Sequence, residues 1–187
     1  VGNLFLITFR KSCPNMKRKN YVYNSKHNLF SIARQQIECD ANGCHVIIIN
    51  ICNSQHIHVN AFNKKIYNNY PLVLANREAA GRINLGKCQT ILVDKNKEYD
   101  HKLYVTNLYA CSGKKTSNNR TINYYALALS LHHLANFIRS EIHNSENKTF
   151  RVFIDKKCLA FTGCNWSFVD DLLDDIMPDI EVEVYDQ

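Results

Sequence analysis

Cysteine and histidine side chains, the usual zinc ligands, are concentrated in one short segment of this sequence. Within twenty residues lie Cys39, Cys44, His45, Cys52, His56 and His58. Zinc needs ligands that converge, whereas residues 45–52 form a nearly continuous apolar run that predicts a buried strand. At about 3.3 Å per residue, His45 and Cys52 would then lie more than about 20 Å apart. We therefore assign no metal here, and we expect His56 and His58 to be ligand-edge or surface residues.

Two further groups could act as acids, bases or nucleophiles. His132 and His133 are adjacent on a predicted helix, where the pattern favours a boundary histidine beside a solvated one. A reactive thiol needs a base or a helix N-terminus to lower its pKa, and Cys158, at the end of a predicted strand, is a better candidate than Cys111. The sequence has no P-loop, no dinucleotide-binding fingerprint and no His-Glu-x-x-His motif. These motifs therefore do not identify the chain as an enzyme.

The composition is that of an ordinary globular chain. Hydrophobic residues make up 45% and charged residues 21% of the 187 residues, which predicts one domain over residues 1–187. No apolar run approaches the roughly 18–20 residues that span a membrane, and the run at 4–9 is too short for a signal peptide. We therefore expect a cytoplasmic protein whose eight cysteines are reduced. The net charge of +6 favours anionic ligands such as nucleotides or RNA.

The apolar patterns predict an α/β fold. Strands are predicted at residues 2–8, 45–52, 88–93, 102–109, 151–154 and 180–185, and helices at 29–37, 61–70, 123–142 and 166–176. Pro71 should end the second helix, with another helical turn or two over 72–82. This order predicts a mixed, mostly parallel central sheet with helices on both faces. A loop containing Gly163 should follow the strand at 151–154, at the sheet edge where α/β folds bind small molecules.

Residues 10–28 carry the densest positive charge of the chain, with Tyr21 and Tyr23 between the basic side chains. Two interpretations remain open. The segment is a solvated insertion or arm, extending over 10–40, or it is part of a nucleic-acid surface that stacks bases and neutralises phosphates. In the second case the contacts would come from Lys17, Arg18, Lys19, Lys64, Lys65, Lys114 and Lys115.

The order of these elements resembles that of macro domains, especially the branch with phage, bacterial and terminal ADP-ribose-hydrolase members. The resemblance covers residues 45–185, the best-matching core. It rests on the strand at 45–53, Ala61-Phe62 before Pro71, Leu85-Gly86 with Gln89, the strand and turn at 105–113, the helix start at 122–127, the loop at 158–166 and the end at 183–186. It implies a three-layer α/β/α macro-domain fold.

Macro domains bind ADP-ribose between two glycine-containing loops, whose backbone amides approach the phosphates. Transferred residue by residue, the resemblance implies a site formed by Asn53, Val59, Ala61, Phe62, Asn107, Cys158, Ala160, Phe161 and Thr162. Four of these residues replace loop glycines, namely Val59, Ala61, Cys158 and Ala160. Their side chains disfavour a positive φ and crowd the path of the phosphates. The position that reads adenine would hold Asn3 instead of aspartate.

In hydrolytic members a lysine attacks the ribose and an acidic residue acts as general acid and base. Those two positions hold Ala110 and Thr162, which cannot do this chemistry. The resemblance therefore implies a binding or interaction module without a cofactor, whose partner is ADP-ribose or a related nucleotide, a protein, or RNA.

Two alternatives stay open. One is a divergent ADP-ribosyl hydrolase or ADP-ribose-1″-phosphatase that uses Lys114, Asp155 or Cys158 in rearranged roles. The other is a basic RNA-binding module. The asparagine-rich composition suggests a viral chain, which would act in the host cytoplasm or nucleus.

Overall fold

The computed structural model describes the backbone of residues 21–24 and all atoms of residues 28–39, 44–55, 57, 60–116, 119–144 and 148–186. Within these ranges the strands are β1 (Tyr21–Asn24), β2 (His45–Asn53), β3 (Cys88–Lys95), β4 (Lys102–Cys111), β5 (Phe150–Asp155) and β6 (Glu181–Tyr185). The helices are α1 (Leu29–Glu38), α2 (Ala61–Asn69), α3 (Pro71–Ala79), α4 (Tyr124–His143), α5 (Lys156–Phe161) and α6 (Trp166–Ile176).

The strands form one sheet in the order β1-β6-β5-β2-β4-β3. Every neighbouring pair is parallel except β3 and β4, which run antiparallel. Helices α1, α2 and α3 form one layer, in which Phe30 stacks on Phe62, and helices α4, α5 and α6 form the other. This arrangement confirms the predicted three-layer α/β/α fold with a mixed, mostly parallel sheet.

The central strand β2 is buried along all nine of its residues. Helical layers cover both faces of a parallel sheet, so its inner strands can be apolar throughout. The polar members of β2 are His45, Asn50 and Asn53, and each has a hydrogen-bond partner in the protein. This strand therefore carries polar groups into the core only where partners satisfy them.

Two long helices lie close to where the sequence predicts them. The side chain of Asn123 caps α4 by accepting a hydrogen bond from the Ala126 N–H at 3.0 Å. The predicted apolar face of α4 is buried and consists of Leu127, Leu131, Leu134 and Ile138. Helix α6 has the predicted limits and buries Val169 and Leu173. No helix in the described part of the chain is long and apolar enough to cross a membrane.

Two predictions near the ends of elements need correction. Residues 21–24, predicted within the basic arm, form an edge strand parallel to β6, since their tyrosine and valine side chains suit a sheet. Pro71 begins a new helix instead of only ending α2, because the first helical position needs no N–H donor. The predicted strand at 2–8 lies outside the described residues.

The predicted loop after β5 is also wrong in part, because residues 156–161 form α5. None of these six residues is glycine or proline, so local propensity allows a helix. The Asp155 carboxylate caps it by accepting a hydrogen bond from the Cys158 N–H at 2.6 Å. Within this helix, the side chains of Cys158 and Leu159 are buried. Gly163 remains in the turn that follows, with a φ of +81°.

His45 should make the fold acid-sensitive. Its Nδ1 accepts the Lys102 N–H at 3.0 Å, and burial together with the charges of Lys148 and Lys102 lowers its pKa from 6.5 to about 4. Below pH 6.5 His45 therefore binds a proton in the unfolded chain, whereas in the folded chain it stays neutral until the pH falls to about 4. We expect the free energy of unfolding to fall by up to about 3 kcal/mol between pH 6.5 and 4 from this group.

Denaturant unfolding across this pH range measures the slope. His45→Asn keeps an acceptor without an ionisable ring and should flatten the slope, whereas His133→Asn, at an exposed position of α4, should leave it unchanged. Equal slopes for the native chain and His45→Asn would contradict this assignment.

Candidate functional site

Strands β2, β4 and β5 are parallel and end at the same edge of the sheet. They lead into loop A (described at residues 54, 55, 57 and 60), loop B (described at residues 112–116 and 119–123) and α5, respectively. An open pocket of about 210 Å³ lies between these segments. It is lined by Asn53, Ile57, Gly113, Lys114, Lys115, Thr121 and Phe161. A pocket at this edge is where an α/β sheet offers a ligand site.

Hydrogen bonds tie loop A to loop B. The Ser54 N–H donates to the Cys111 carbonyl at 2.9 Å, and the Asn53 side-chain amide donates to the Gly113 carbonyl at 2.7 Å. The Asn53 Oδ1 accepts the Gln55 N–H at 2.9 Å. Asn53 is only 2% exposed, so its amide holds the two loops together. Gly113 supports this link with a φ of +70°, which other residues rarely adopt.

A buried arginine, Arg77 of α3, lies beneath loop A. Its guanidinium donates to the Tyr67 hydroxyl at 2.6 Å and to the carbonyls of Asn53 and Ile57 at 3.3 and 3.4 Å. No carboxylate of the described residues pairs with it, and its Nε has no hydrogen-bond partner. Behind the pocket wall, no carboxylate of the described ranges therefore balances its positive charge. Arg77 lies four residues after the buried Val73 and therefore on the same face of α3. An arginine on an apolar helix face is thus the sequence signal that could have identified it.

Helix α5 occupies the position predicted for the second ligand loop. Cys158 is buried, and the Asn60 side-chain amide donates to its carbonyl at 3.3 Å and to its Sγ at 2.9 Å. Thr162 is also buried, and its hydroxyl donates to the Leu159 carbonyl at 2.6 Å. The Asp155 carboxylate already occupies the helix N-terminus. The Cys158 N–H is therefore committed to the Asp155 carboxylate and is not free for a phosphate.

The exposed part of the pocket is cationic and aromatic. Phe161 is 50% exposed, and the Lys115 ammonium lies 5.0 Å from the centroid of its ring. Lys114 and Lys115 are exposed, and neither forms an ion pair within the described ranges. None of the pocket-lining residues carries a carboxylate. The pocket is therefore suited to an anion with an apolar or planar portion.

A network of buried amides lies behind the pocket and consists of Asn50, Asn60, Asn63, Gln89 and Asn107. Asn50 donates to the Asn107 Oδ1 at 2.7 Å and accepts from the Asn63 amide at 2.5 Å. Asn107 in turn donates to the Gln89 Oε1 at 3.1 Å. Asn63 and Asn60 exchange hydrogen bonds as a capping box at the start of α2. This amide network joins α2 to β2, β4 and β3, and its sequence signal is the asparagine within each apolar strand.

The structure separates both sets of predicted residues, those that the resemblance implies for a ligand site and those predicted for a nucleic-acid surface. Asn53, Phe161, Lys114 and Lys115 line the pocket. Asn107 and Phe62 lie in the core, and Ala61 and Ala160 are exposed on helices outside the pocket lining. Lys64 and Lys65 are exposed on α2. The remaining predicted contacts, Val59, Lys17, Arg18 and Lys19, lie outside the described residues, as does Asn3.

Of the candidate catalytic groups, Lys114 lines the pocket, whereas Asp155 and Cys158 are buried. Ala110 is buried at the end of β4. Burial raises the pKa of the Cys158 thiol far above its usual range and, less strongly, raises the pKa of the Asp155 carboxyl. A thiol that stays protonated is not a nucleophile.

The segment with many cysteines and histidines does not converge in the described part of the chain. His45 and Cys52 lie at opposite ends of β2, and the Cys52 thiol is 3.4 Å from the Asn107 Oδ1. Within the described ranges no three His, Cys, Asp or Glu side chains are grouped to hold a metal ion. The seven cysteines in those ranges are free thiols. His56 and His58 fall outside them.

The amide network should be intolerant of charge. Asn107 is fully buried beside Asn50 and Cys52, so Asn107→Asp places a carboxylate in the core and removes the donor to Gln89. We expect the free energy of unfolding to fall by about 3 kcal/mol or more at neutral pH, with partial recovery in acid as the carboxyl becomes neutral.

The matched control is Asn96→Asp in the turn between β3 and β4. There the side-chain oxygen accepts the N–H groups of Glu98 and Tyr99, which aspartate can also do. Denaturant unfolding at two pH values compares the variants. A loss for Asn107→Asp no larger than that for Asn96→Asp would show that the amide network is not a structural requirement.

Comparison with known proteins supports the fold. No protein-family profile and no curated protein matches this sequence. Among solved structures, a macrodomain protein from Streptomyces coelicolor is similar over 89% of this chain and 99% of its own, at 20% identity and a TM-score of 0.60. A protein of unknown function from Bacteroides thetaiotaomicron is similar over 89% and 98%, at 20% identity and a TM-score of 0.62. The macrodomain of Mycobacterium tuberculosis DarG is similar over 89% and 97%, at 17% identity and a TM-score of 0.59. The chain described here therefore has the macrodomain fold.

Proposed function

We propose that this chain is a binding module for ADP-ribose or a closely related nucleotide, and that it does not hydrolyse its ligand. The observation that carries the proposal is the pocket lined by Lys114, Lys115 and Phe161 at the carboxyl edge of the sheet. ADP-ribose is the ligand class that the resemblance to macro domains implies. We further propose that residues 1–187 form a single domain.

Anion recognition in this proposal comes from side chains instead of loop amides. Two exposed ammonium groups line the pocket, and the buried Arg77 guanidinium contacts the carbonyls of two of its lining residues, Asn53 and Ile57. The lining itself has no carboxylate. A diphosphate would gain Coulomb energy from all three charges. Because the two lysines are exposed, salt screens their share of this energy. Binding should therefore weaken as ionic strength rises.

The size of the pocket limits affinity. Its volume of about 210 Å³ is below the roughly 300–1,000 Å³ of most small-molecule sites. It can therefore enclose only part of a dinucleotide-sized ligand. We expect micromolar or weaker affinity.

The absence of hydrolysis in this proposal follows from the available groups. Hydrolysis needs a nucleophile or an activated water, together with a group that transfers protons. Ala110 and the Thr162 hydroxyl cannot supply these functions. The Asp155 carboxylate caps α5, and the Cys158 thiol accepts a hydrogen bond from the Asn60 amide. Lys114 has no carboxylate beside it in the pocket lining. This argument favours a binding module over the alternative of a divergent hydrolase.

Removing the lysines should weaken binding without unfolding the protein. We expect Lys114→Ala and Lys115→Ala each to weaken ADP-ribose binding by about fivefold at moderate salt, since an exposed charge contributes about 1 kcal/mol. The double variant should lose about 25-fold if the effects add. Isothermal titration with ADP-ribose measures these changes.

Lys97→Ala is the matched control, because Lys97 is exposed in the turn at the opposite end of β4. It should bind like the native chain. Equal affinities for the pocket variants and this control would overturn the assignment of the pocket. Release of ADP-ribose from a mono-ADP-ribosylated protein by the native chain would overturn the non-hydrolytic role.

A further inference from the structure

An exposed aromatic and cationic surface borders the pocket on the side of loop B. We call it the stacking surface, and it consists of Arg120, Tyr124 and Tyr125. The Tyr125 side chain is 78% exposed, which is the largest exposure among the large hydrophobic side chains of the described residues. The Arg120 guanidinium carbon lies 4.8 Å from the centroid of the Tyr124 ring. An exposed tyrosine ring and a stacked guanidinium plane are thus available side by side.

Backbone contacts hold the stacking surface in place. The Thr121 N–H donates to the Thr162 carbonyl at 3.0 Å, and the Asn165 N–H donates to the Tyr124 hydroxyl at 2.6 Å. Arg120 packs on Gly163, where an added Cβ would lie 3.0 Å from the Arg120 Cβ. These contacts fix loop B on the turn after α5, so the surface is preorganised.

The charge around the stacking surface favours an anionic partner. Residues 101–140 contain no aspartate or glutamate, and loop B carries Lys114, Lys115 and Arg120. Helix α6 brings acidic side chains to one side of the surface. There the Phe168 ring lies 5.3 Å from the Tyr124 ring, and Asp171 follows in the next turn. A polyanion would therefore run from Tyr125 over Arg120 toward the lysines and away from α6.

We propose that the stacking surface binds single-stranded nucleic acid. Bases would stack on the Tyr125 ring and on the outer face of the Arg120 guanidinium, and phosphates would contact Lys114 and Lys115. A duplex keeps its bases stacked on one another, so it could use only the charges. A protein partner would also contact the rings, but it would not explain why residues 101–140 lack aspartate and glutamate. This activity is separate from nucleotide binding in the pocket, although both use the two lysines.

Fluorescence anisotropy with the full chain tests the proposal, using labelled oligothymidylate and oligouridylate of about 12 nucleotides and a duplex of equal length. We expect either strand to bind more tightly than the duplex. The logarithm of the association constant should fall with the logarithm of salt concentration with a slope of about −1.4 or steeper, because two lysines neutralise phosphates. Tyr125→Ala should weaken strand binding by about tenfold.

Tyr99→Ala is the control, since Tyr99 is 39% exposed in the turn between β3 and β4. Its strand binding should equal that of the native chain. Equal binding by Tyr125→Ala, Arg120→Ser and the native chain would overturn the proposal and assign any binding to the basic residues at 10–26. Equal affinity for duplex and strand would also overturn the proposal. So would a result in which neither strand binds, and the surface would then be assigned to a protein partner. ADP-ribose titration of Tyr125→Ala separates the two sites, because this variant should keep its affinity for the nucleotide.

Discussion

Buried amide groups must find partners inside the protein, and this requirement organises the carboxyl edge of the sheet. Asn50 and Asn107 project from adjacent central strands, where an unsatisfied amide would cost about 1–3 kcal/mol. Their hydrogen bonds are met by Asn63 on one side and Gln89 on the other. The start of α2 is consequently fixed relative to three strands. Through Asn60, the same network reaches Cys158 and α5.

The position of α5 then decides what kind of ligand site remains. A helix capped by Asp155 puts a carboxyl at the point where an anion would otherwise meet backbone amides. The two loops that stay open, A and B, are joined through Asn53 and supported by Arg77. Side chains of loop B therefore supply the positive charge of the pocket. The site that we propose keeps its place in the fold but changes its chemistry from amides to ammonium groups.

The fold could be predicted from the sequence because its signals are local. The apolar run of β2 and the apolar stripes of α4 and α6 each follow from periodicity, and they fix the layers and the sheet. The site was harder to predict because its determinants are not local. Helix α5 was not predicted because residues 156–161 were assigned to the loop that contains Gly163, in spite of their helical propensity. Arg77 lies 24 and 20 residues away from Asn53 and Ile57 in the sequence, and it contacts their carbonyls only in the folded chain.

Residues in the core account for the other differences. Asn107 and Phe62 sit at positions that the resemblance assigns to ligand contact, yet one joins the amide network and the other packs on Phe30. A short range of sequence cannot separate a buried amide from one that faces a ligand, since both occur at the ends of apolar strands. The lysines of loop B were named only as alternatives, because nothing in their spacing required a role.

The central claim is that the ligand contacts loop B and not the amides of α5. Amide proton–nitrogen correlation spectra recorded during titration with ADP-ribose test it residue by residue. We predict that the largest shifts fall on Gly113, Lys114, Lys115 and Phe161, while the amides of Lys157 and Cys158 stay unperturbed. Shifts centred on Lys157 and Cys158 would instead mean that α5 opens to form an amide cradle, and that result would contradict the account.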